Sequence, residues 1–300
     1  MALKLPAPAS DTTPMRARIS AALTGVSTIV ACATALVCAP AALADTTSSS
    51  NWAGYAAHAA GVSYRSVQGS WRQPRLTCTR GTRTYSAYWV GLGGYSGTSQ
   101  ALEQVGTEAD CTSGGQVLLT AWYELVPAPS HPVQLTINPG DQIDASVTVN
   151  GNRVTVALVD LTRKRSFSKT VTASTLDVSS AEWIVEAPAQ CVSANACQPL
   201  PLANFGTAKF LSGSADSTAG VSGGIADPAW QTTKIKLVPS SRRFVSNGSS
   251  VLLVGTAAPS ALATNGRSFT VSYSLAPVAS PLFARQASVL RAGYLLHPRR

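Results

Sequence analysis

Apolar and polar residues alternate with a period of two along much of the chain, and no long stretch shows helical periodicity. β-branched residues dominate these runs, which is typical of strands. Three Asn-Gly steps, beginning at Asn150, Asn247 and Asn265, lie among such runs and supply the left-handed conformations of tight hairpins. The pattern predicts an all-β fold, an antiparallel β-sandwich. The alternating runs are VQLTI (133–137), QIDASVTV (142–149), RVTVALVDL (153–161), SFSKTVTA (166–173), TTKIKLV (232–238), SVLLVGT (250–256) and RSFTVSYS (267–274).

The N-terminal region has the features of a secretory signal peptide. Arg16 and Arg18 precede an apolar stretch that ends in the small-residue triplet Ala42-Leu43-Ala44, so we expect cleavage before Asp45. A transmembrane anchor is the alternative, because the apolar stretch is nearly long enough to span a bilayer. Its Thr, Ser and Gly content and its A-L-A end favour cleavage and therefore a secreted protein.

Three segments follow from this pattern. Residues 1–44 form the predicted signal peptide, residues 45–275 form the sandwich domain, and residues 276–300 form an appended basic tail without a strand pattern. The middle segment suits one large sandwich better than two small ones, because its strands follow one another at short spacing with no βαβ rhythm.

Cysteine usage agrees with export. Two of the six cysteines leave with the predicted signal, and four remaining cysteines in an oxidising compartment suggest two disulfides. The short loop between Cys191 and Cys197 favours that pair and leaves Cys78 with Cys111. Metal binding is the weaker alternative, because none of the three histidines lies near a cysteine. We therefore expect neither a metal nor a cofactor.

The formal net charge of +9 comes mostly from the two ends of the chain. Of 23 basic and 14 acidic residues, the first 44 positions hold three and one, and the stretch after Ser274 holds four arginines and no acid. The body between them has 16 basic and 13 acidic residues, or +3, and its RKR cluster at 163–165 is typical of a solubilising turn. We expect a monomer with no nucleic-acid partner and no stable membrane association after signal cleavage.

Two common hydrolase signatures are missing from the sequence. It contains no H-E-x-x-H and no D-T-G segment. Its histidines, His58, His131 and His297, are isolated and are expected on the surface or in loops. A serine or cysteine triad is therefore not expected.

Polar residues instead occupy one face of several strands. In AEWIVEAP (181–188) a period of two places Glu182, Ile184 and Glu186 on one face and Trp183 and Val185 on the other. A solvated acidic face is the simplest interpretation of two such glutamates. By the same alternation Gln104 and Glu103 face opposite ways, Trp122 and Glu124 share a face, and Trp89 shares one with Gly91.

Six segments, taken together and in this order, resemble the glutamic peptidase, or eqolisin, family. They are SSNWAGYA (49–56), YWVGLGG (88–94), LEQVGTE (102–108), AWYELVP (121–127), AEWIVEAP (181–188) and PLANFG (201–206). The resemblance implies a β-sandwich of two large antiparallel sheets and acid-acting endopeptidase chemistry by a Gln/Glu dyad, with protein or peptide substrates.

Matched by segment, the family's catalytic residues fall on Gln104 and Glu186. Trp89, Trp122 and Glu124 fall on positions that line the cleft, and Glu182 is the polar neighbour expected to contribute to substrate binding. The loop closed by Cys191 and Cys197 matches a family disulfide. One departure is Gly93, because fungal members have an aspartate in this turn; any support from that carboxylate is absent or replaced here.

Two other functions fit a secreted β-sandwich with paired acids and tryptophans. A carbohydrate-binding or glycoside-hydrolysing protein uses the same residue types, and a non-catalytic binding module would retain the fold alone. Gln104 argues against the glycosidase, which needs a second acid where this chain has an amide.

Overall fold

The computed structural model describes residues 44–191, 197–238 and 253–277, and within these ranges it contains strands, turns and bends but no α-helix. Across these ranges no helix has the length and apolarity that crossing a membrane requires. The strands are β1 (Asp45–Ser49), β2 (Trp52–His58), β3 (Tyr64–Arg72), β4 (Thr84–Gly93), β5 (Leu102–Cys111), β6 (Val117–Val126), β7 (His131–Val133), β8 (Gln142–Asn150), β9 (Arg153–Asp160), β10 (Arg165–Thr172), β11 (Ser180–Glu186), β12 (Ala189–Cys191), β13 (Cys197–Pro199), β14 (Thr207–Ser217), β15 (Ser222–Gly224), β16 (Gln231–Leu237), β17 (Leu253–Pro259) and β18 (Phe269–Pro277).

The strands form two layers that are joined at one side. The first layer has the order β16-β2-β11-β4-β5-β6-β7 and the second has the order β10-β9-β8-β3-β14. Strands β17 and β18 connect β16 to β14, so the hydrogen-bonded ladder runs through both layers as one 16-stranded sheet folded on itself. The predicted antiparallel sandwich is confirmed, with one parallel pair, β1 beside β16.

The main hydrophobic core lies between the two layers. Trp183 and Val185 of β11 and Val90 of β4 point into it and are fully buried. The Trp183 indole N–H crosses the core and donates to the carbonyl oxygen of Gln68, on β3, at 2.7 Å. A side chain at Gly69 would lie 2.6 Å from Val90, so the glycine lets β3 approach the first layer closely.

Several sequence-based expectations can be compared directly with this architecture. The Asn-Gly steps at Asn150 and Asn265 form turns, with positive φ at the following glycines, and the step at Asn247 lies outside the described residues. The expectation of a strand over 133–137 was wrong, since β7 ends at Val133. Leu135 and Ile137 are nevertheless buried in the core, so burial of a loop produced their apolar alternation.

The predicted disulfides have different outcomes. Cys78 and Cys111 are joined, which confirms that pair. Cys197 is disulfide-bonded and lies opposite Cys191 in the β12–β13 ladder, but the side chain of Cys191 lies outside the described residues.

The ends of the predicted sandwich domain fall close to strand ends. Strand β1 begins at Asp45, and β18 continues to Pro277, two residues beyond the predicted boundary. The predicted signal peptide and the remainder of the tail lie outside the described residues, so those assignments stay predictions.

Gly54 provides a test of the β2–β11 junction. Its φ is 153°, and a Cβ there would overlap the carbonyl oxygen of Trp183. We expect Gly54→Ala to lower the free energy of unfolding by about 1–3 kcal/mol or more, because backbone must move to admit one methyl group. Denaturant unfolding followed by circular dichroism measures this change.

Gly97→Ala is the matched control, because no atom lies within 4 Å of a Cβ at this position. It should change stability by less than about 0.5 kcal/mol. Equal stability of the two variants would contradict the close packing at Gly54.

Candidate active site

Strand β11 lies at the centre of the candidate site, between β2 and β4. Its alternation is as predicted: Trp183 and Val185 enter the main core, while Ile184 belongs to a separate apolar cluster on the opposite face of the first layer. Glu182 and Glu186 share that opposite face and are fully buried. The solvated acidic face, the simplest interpretation of the sequence, is therefore wrong.

The apolar cluster on this outer face surrounds the acids with indole and aliphatic groups. Trp52 and Trp89 meet edge to face with ring centroids 5.0 Å apart. Such surroundings exclude water and disfavour ionised carboxyls. The cluster contains Trp52, Ala56, Ala87, Trp89, Leu102, Trp122, Val126, Ile184 and Ile235.

Glu186 is held by two donors, one from β4 and one from the turn between β1 and β2. The Trp89 indole N–H donates to Oε2 at 2.8 Å, and the Asn51 amide Nδ2 donates to Oε1 at 3.0 Å. The Ser49 hydroxyl donates to Oδ1 of Asn51 at 3.1 Å, which orients the amide so that its NH₂ group faces Glu186. Both donors favour the carboxylate form of Glu186.

Burial outweighs these donors in the closed site. It raises the pKa of the Glu186 carboxyl from 4.5 to about 8; the bonds from Trp89 and Asn51 act against the rise, and the negative charge of Glu108 adds to it. Glu186 therefore combines donors that stabilise its anion with surroundings that favour its acid, as expected of a group that both accepts and releases a proton.

Gln104 and Glu124 form a second polar pair on the same face. The Gln104 amide Nε2 donates to Oε2 of Glu124 at 2.6 Å, and the two residues are opposite each other in the β5–β6 ladder. Burial, and then the negative charge of Glu186, raise the pKa of Glu124 well above its ordinary value, while the bond from Gln104 lowers it. Glu124 thus links Gln104 to Glu186, because it accepts a hydrogen bond from Gln104 and its pKa is raised by the charge of Glu186.

Glu182 has different neighbours. It lies in the same cross-strand row as Gln104, separated by Gly91. Burial raises the pKa of its carboxyl well above the ordinary value, the nearby Ser180 hydroxyl lowers it, and the negative charges of Asp177 and Glu103 raise it further. The two glutamates of β11 are therefore in distinct surroundings, and it is Glu186 that shares its electrostatic environment with Glu124.

Two glycines make room for the Trp89 indole. A Cβ at Gly106 would overlap the carbonyl oxygen of Tyr88 and lie 2.6 Å from the Cβ of Trp89. A Cβ at Gly91 would lie 3.0 Å from the Trp89 ring and 3.2 Å from the Cβ of Gln104. The small residues in YWVGLGG and LEQVGTE thus allow a large indole and two polar side chains to share one face.

The sequence analysis assigned no role to Asn51, although it lies in the segment SSNWAGYA. Its contact with Glu186 joins residues 135 positions apart, and local alternation carries no signal for such a contact. A Ser-x-Asn sequence before a strand indicates a polar turn, and the Ser49 hydroxyl does accept hydrogen bonds from the backbone amides of Asn51 and Trp52.

The two described histidines lie in aromatic contacts. His58 stacks on Tyr95, with centroids 4.5 Å apart, and its Nε2 is 2.8 Å from the Thr233 hydroxyl. His131 stacks on Tyr123 at 5.0 Å, and His297 lies outside the described residues. Among the residues that the structure describes, no cluster of three or more His, Cys, Asp or Glu side chains has the geometry to hold a metal ion.

Comparison with known families gives one match across the site. The model of the Peptidase A4 family matches residues 50–250, which is two thirds of the chain. The matched range includes every candidate site residue discussed above except Ser49. No curated protein sequence matches the chain.

Two of the solved structures that match this fold with a TM-score above 0.5 are a glutamic peptidase and a member of the eqolisin family. Scytalido-glutamic peptidase, solved with a transition state analog inhibitor, is 24% identical with a TM-score of 0.56, covering 75% of this chain and 98% of that chain. SCP-B, described as a member of the eqolisin family and solved with the tripeptide Ala-Ile-His, is 24% identical with a TM-score of 0.53 and the same coverage. Aspergilloglutamic peptidase from Aspergillus niger is 26% identical, covering 64% of this chain and 99% of that chain, with a TM-score of 0.45.

The buried carboxyls make stability depend on pH in a defined direction. The raised pKa values of Glu103, about 9, and Glu186, about 8, mean that the folded state keeps protons that the unfolded chain releases above about pH 4.5. Stability should therefore be full below that pH and fall up to pH 8–9, by about 1.4 kcal/mol per pH unit for each such carboxyl. We expect the melting temperature to decrease across this range.

Asp141, Asp177 and Asp216 act in the opposite sense, because their lowered pKa values contribute stability that is lost only in stronger acid, below about pH 4. The maximum should thus lie near pH 4–5. Calorimetry from pH 3 to 9 measures the profile, and Glu186→Gln should flatten its alkaline side. A maximum at neutral pH would contradict the assignment.

Proposed function

Because this chain belongs to the peptidase A4 family, we propose that it is a secreted, acid-acting endopeptidase in which Glu186 and Gln104 form the catalytic pair. The resemblance inferred from the six sequence segments is confirmed by the family match. Protein or peptide substrates follow from that membership. The finer assignment of roles is supported by the contacts of each side chain.

The hydrogen bonds to Glu186 carry the proposal. In the first step its carboxylate takes a proton from a water molecule while the water oxygen adds to the carbonyl carbon of the peptide bond. In the second step the resulting carboxylic acid gives that proton to the amine nitrogen, and the C–N bond breaks. Trp89 and Asn51 hold both carboxyl oxygens throughout, so the group exchanges a proton without losing its position.

The ionised form of Glu186 has to be present at acid pH for the first step. Burial is the largest cause of its raised pKa, and the attacking water brings a further polar group to the carboxyl. The two donors then dominate and favour the carboxylate. Activity should rise with pH as Glu186 ionises.

Gln104 supplies the oxyanion donor in this mechanism. A carboxamide NH₂ has two hydrogens, of which one bonds to Glu124. The second can stabilise the negative oxygen that develops on the carbonyl group, and an amide does so without titrating in acid. Glu124 positions the amide and, while it stays protonated, adds no negative charge next to the oxyanion.

The other assigned side chains have supporting roles. Trp89 positions Glu186 and, with Trp122, forms part of the apolar wall of the site. Glu182 is proposed as a polar neighbour that affects the pH range rather than the proton transfer. Activity should fall at higher pH as Glu124 and Glu182 ionise, because like charges then accumulate around the reaction centre.

Secretion is supported by two independent features. The N-terminal sequence has the order of charged, apolar and small residues of a signal peptide. The Cys78–Cys111 disulfide is typical of an oxidising compartment.

The carbohydrate-binding interpretation loses its main support. Sugar-stacking platforms are exposed aromatic faces, whereas Trp52, Trp89 and Trp122 are at most 3% exposed.

Substitution of the three polar site residues tests the roles. Glu186→Gln should lower turnover by at least ~10²–10⁴, because an amide cannot exchange the proton. Gln104→Ala should cost ~10²–10³ by removing the oxyanion donor. Glu182→Gln should keep substantial activity and shift the pH profile. Digestion of a casein-like substrate at pH 3–5, with mass-spectrometric mapping of the cleavage sites, measures these effects.

Circular dichroism is the folding control, and all three variants should retain the native spectrum because none of them faces the main core. An inactive Glu182→Gln beside an active Glu186→Gln would show that the two acids had been assigned the wrong way round.

Inhibitor sensitivity gives an independent test of the reaction class. Pepstatin, thiol reagents and chelators should leave activity unchanged, because the sequence has no D-T-G segment, no H-E-x-x-H segment and no unpaired cysteine expected after signal cleavage. Complete inhibition by any one of these, measured at the pH of maximal activity, would assign the enzyme to a different class.

A further inference from the structure

The turn between β4 and β5 is attached to the segment that leads into β11. Asp177, three residues before β11, accepts a hydrogen bond at Oδ2 from the backbone amide of Gly94 at 3.2 Å. The same oxygen accepts a bond from the Ser99 hydroxyl. Its other oxygen, Oδ1, accepts a bond from the backbone amide of Ser179 at 2.9 Å. One carboxylate therefore connects both ends of the turn to the start of β11.

Gly93 is in direct contact with this carboxylate. A Cβ at Gly93 would overlap the backbone carbonyl oxygen of Asp177 and lie 2.6 Å from its Cβ, and the φ of Gly93 is 83°. A glycine is thus required both by the backbone conformation and by the close approach of Asp177. The position where fungal members of the family have an aspartate is a glycine here, and the carboxylate beside it comes from another part of the chain.

This connection joins the elements that carry the site residues. The turn joins β4, which carries Trp89, to β5, which carries Gln104. Asp177 precedes β11, which carries Glu186. The β4–β11 ladder already aligns these two strands, and the link between the turn and the start of β11 adds a second attachment between the hairpin that holds Gln104 and the strand that holds Glu186.

The charge of Asp177 also affects the pKa of a neighbouring site residue. Burial on its own would raise the pKa of Asp177, but the bonds from Ser179, Ser99 and Gly94 outweigh it and hold the pKa below its ordinary value. Its negative charge raises the pKa of Glu182.

The other titratable groups whose charges interact with Glu182 are Glu103 on β5, Tyr64 on β3 and Tyr95 in the turn. Each of these is neutral in acid, since the pKa of Glu103 is raised to about 9 and those of both tyrosines lie above 10. At acid pH, Asp177 is therefore the ionised member of this group.

We propose that Asp177 is a positioning residue of the active site: its carboxylate ties the β4–β5 turn to the start of β11 and so fixes Gln104 relative to Glu186. This inference rests on the proposed function of that pair. Asp177 acts through the backbone and through Glu182, without contact with the reacting atoms.

Kinetics of Asp177→Ala and Ser99→Ala test the proposal. We expect Asp177→Ala to lower kcat about 10-fold or more with KM changed less than about threefold, because misplacement of the dyad affects the chemical step. Ser99→Ala, which removes one of the bonds, should show a smaller loss. The matched control is Asp216→Ala, which removes an aspartate that accepts a bond from the Ser66 hydroxyl at 2.6 Å on the second layer. An equal loss of kcat in the control would overturn the proposal.

The pH profile separates positioning from general stability. Removing the charge in Asp177→Asn lowers the pKa of Glu182, so the fall in activity at higher pH should begin at a lower pH. In the Glu182→Gln background the same substitution should not change the pH at which activity begins to fall. An identical shift in both backgrounds would overturn the link through Glu182.

Hydrogen exchange gives a readout that does not need activity. In the folded Asp177→Ala protein the amides of residues 94–101 should exchange at least ~10-fold faster than in the native protein, and in Asp216→Ala they should not. If the native protein shows no acid peptidase activity, the proposed function fails while this exchange result still tests the connection. Unchanged exchange in the turn would overturn the inference even in an active enzyme.

Discussion

The site depends on a single strand that is buried on both faces. All seven residues of β11 are buried, and its inward side chains lock it to the second layer through Trp183, whose indole N–H is bonded to the Gln68 carbonyl. Truncating a buried tryptophan typically costs about 3–5 kcal/mol. Because side chains alternate along a strand, fixing Trp183 and Val185 also fixes the direction of Glu182 and Glu186 on the other face.

Burial of the acids is the main electrostatic consequence of this arrangement. Carboxyls in apolar surroundings favour their protonated form, and only local donors can reverse this preference. Glu186 has two such donors, Trp89 and Asn51, whereas Glu182 has two acids among its neighbours. Two glutamates four residues apart on the same strand therefore have different chemistry.

A substitution at one position of a family pattern can be accompanied by a group from elsewhere in the chain. The turn after the tryptophan strand has Gly93 where fungal members of the family have an aspartate, and Asp177 occupies the adjacent space with its carboxylate bonded to Gly94 and Ser99. The space around a Cβ explains why these two features occur together, because a side chain at Gly93 and this placement of Asp177 exclude each other. An alignment of sequences would show only that the aspartate is missing at this position.

The sequence by itself determined the all-β class, the faces of β5, β6 and β11 and the residues of the resemblance, because alternation, turn chemistry and ordered segments are local properties. The Cys78–Cys111 pair followed only by elimination, and the structure confirms it. The prediction of a strand over 133–137 was wrong, because the apolar alternation there belongs to a buried loop. Only the tertiary structure decided that the acidic face is buried, that Asn51 reaches Glu186 across 135 residues, and that Asp177 lies against Gly93. A period of two fixes the side on which a side chain lies, but its depth and its partners are set by whichever distant strands pack there.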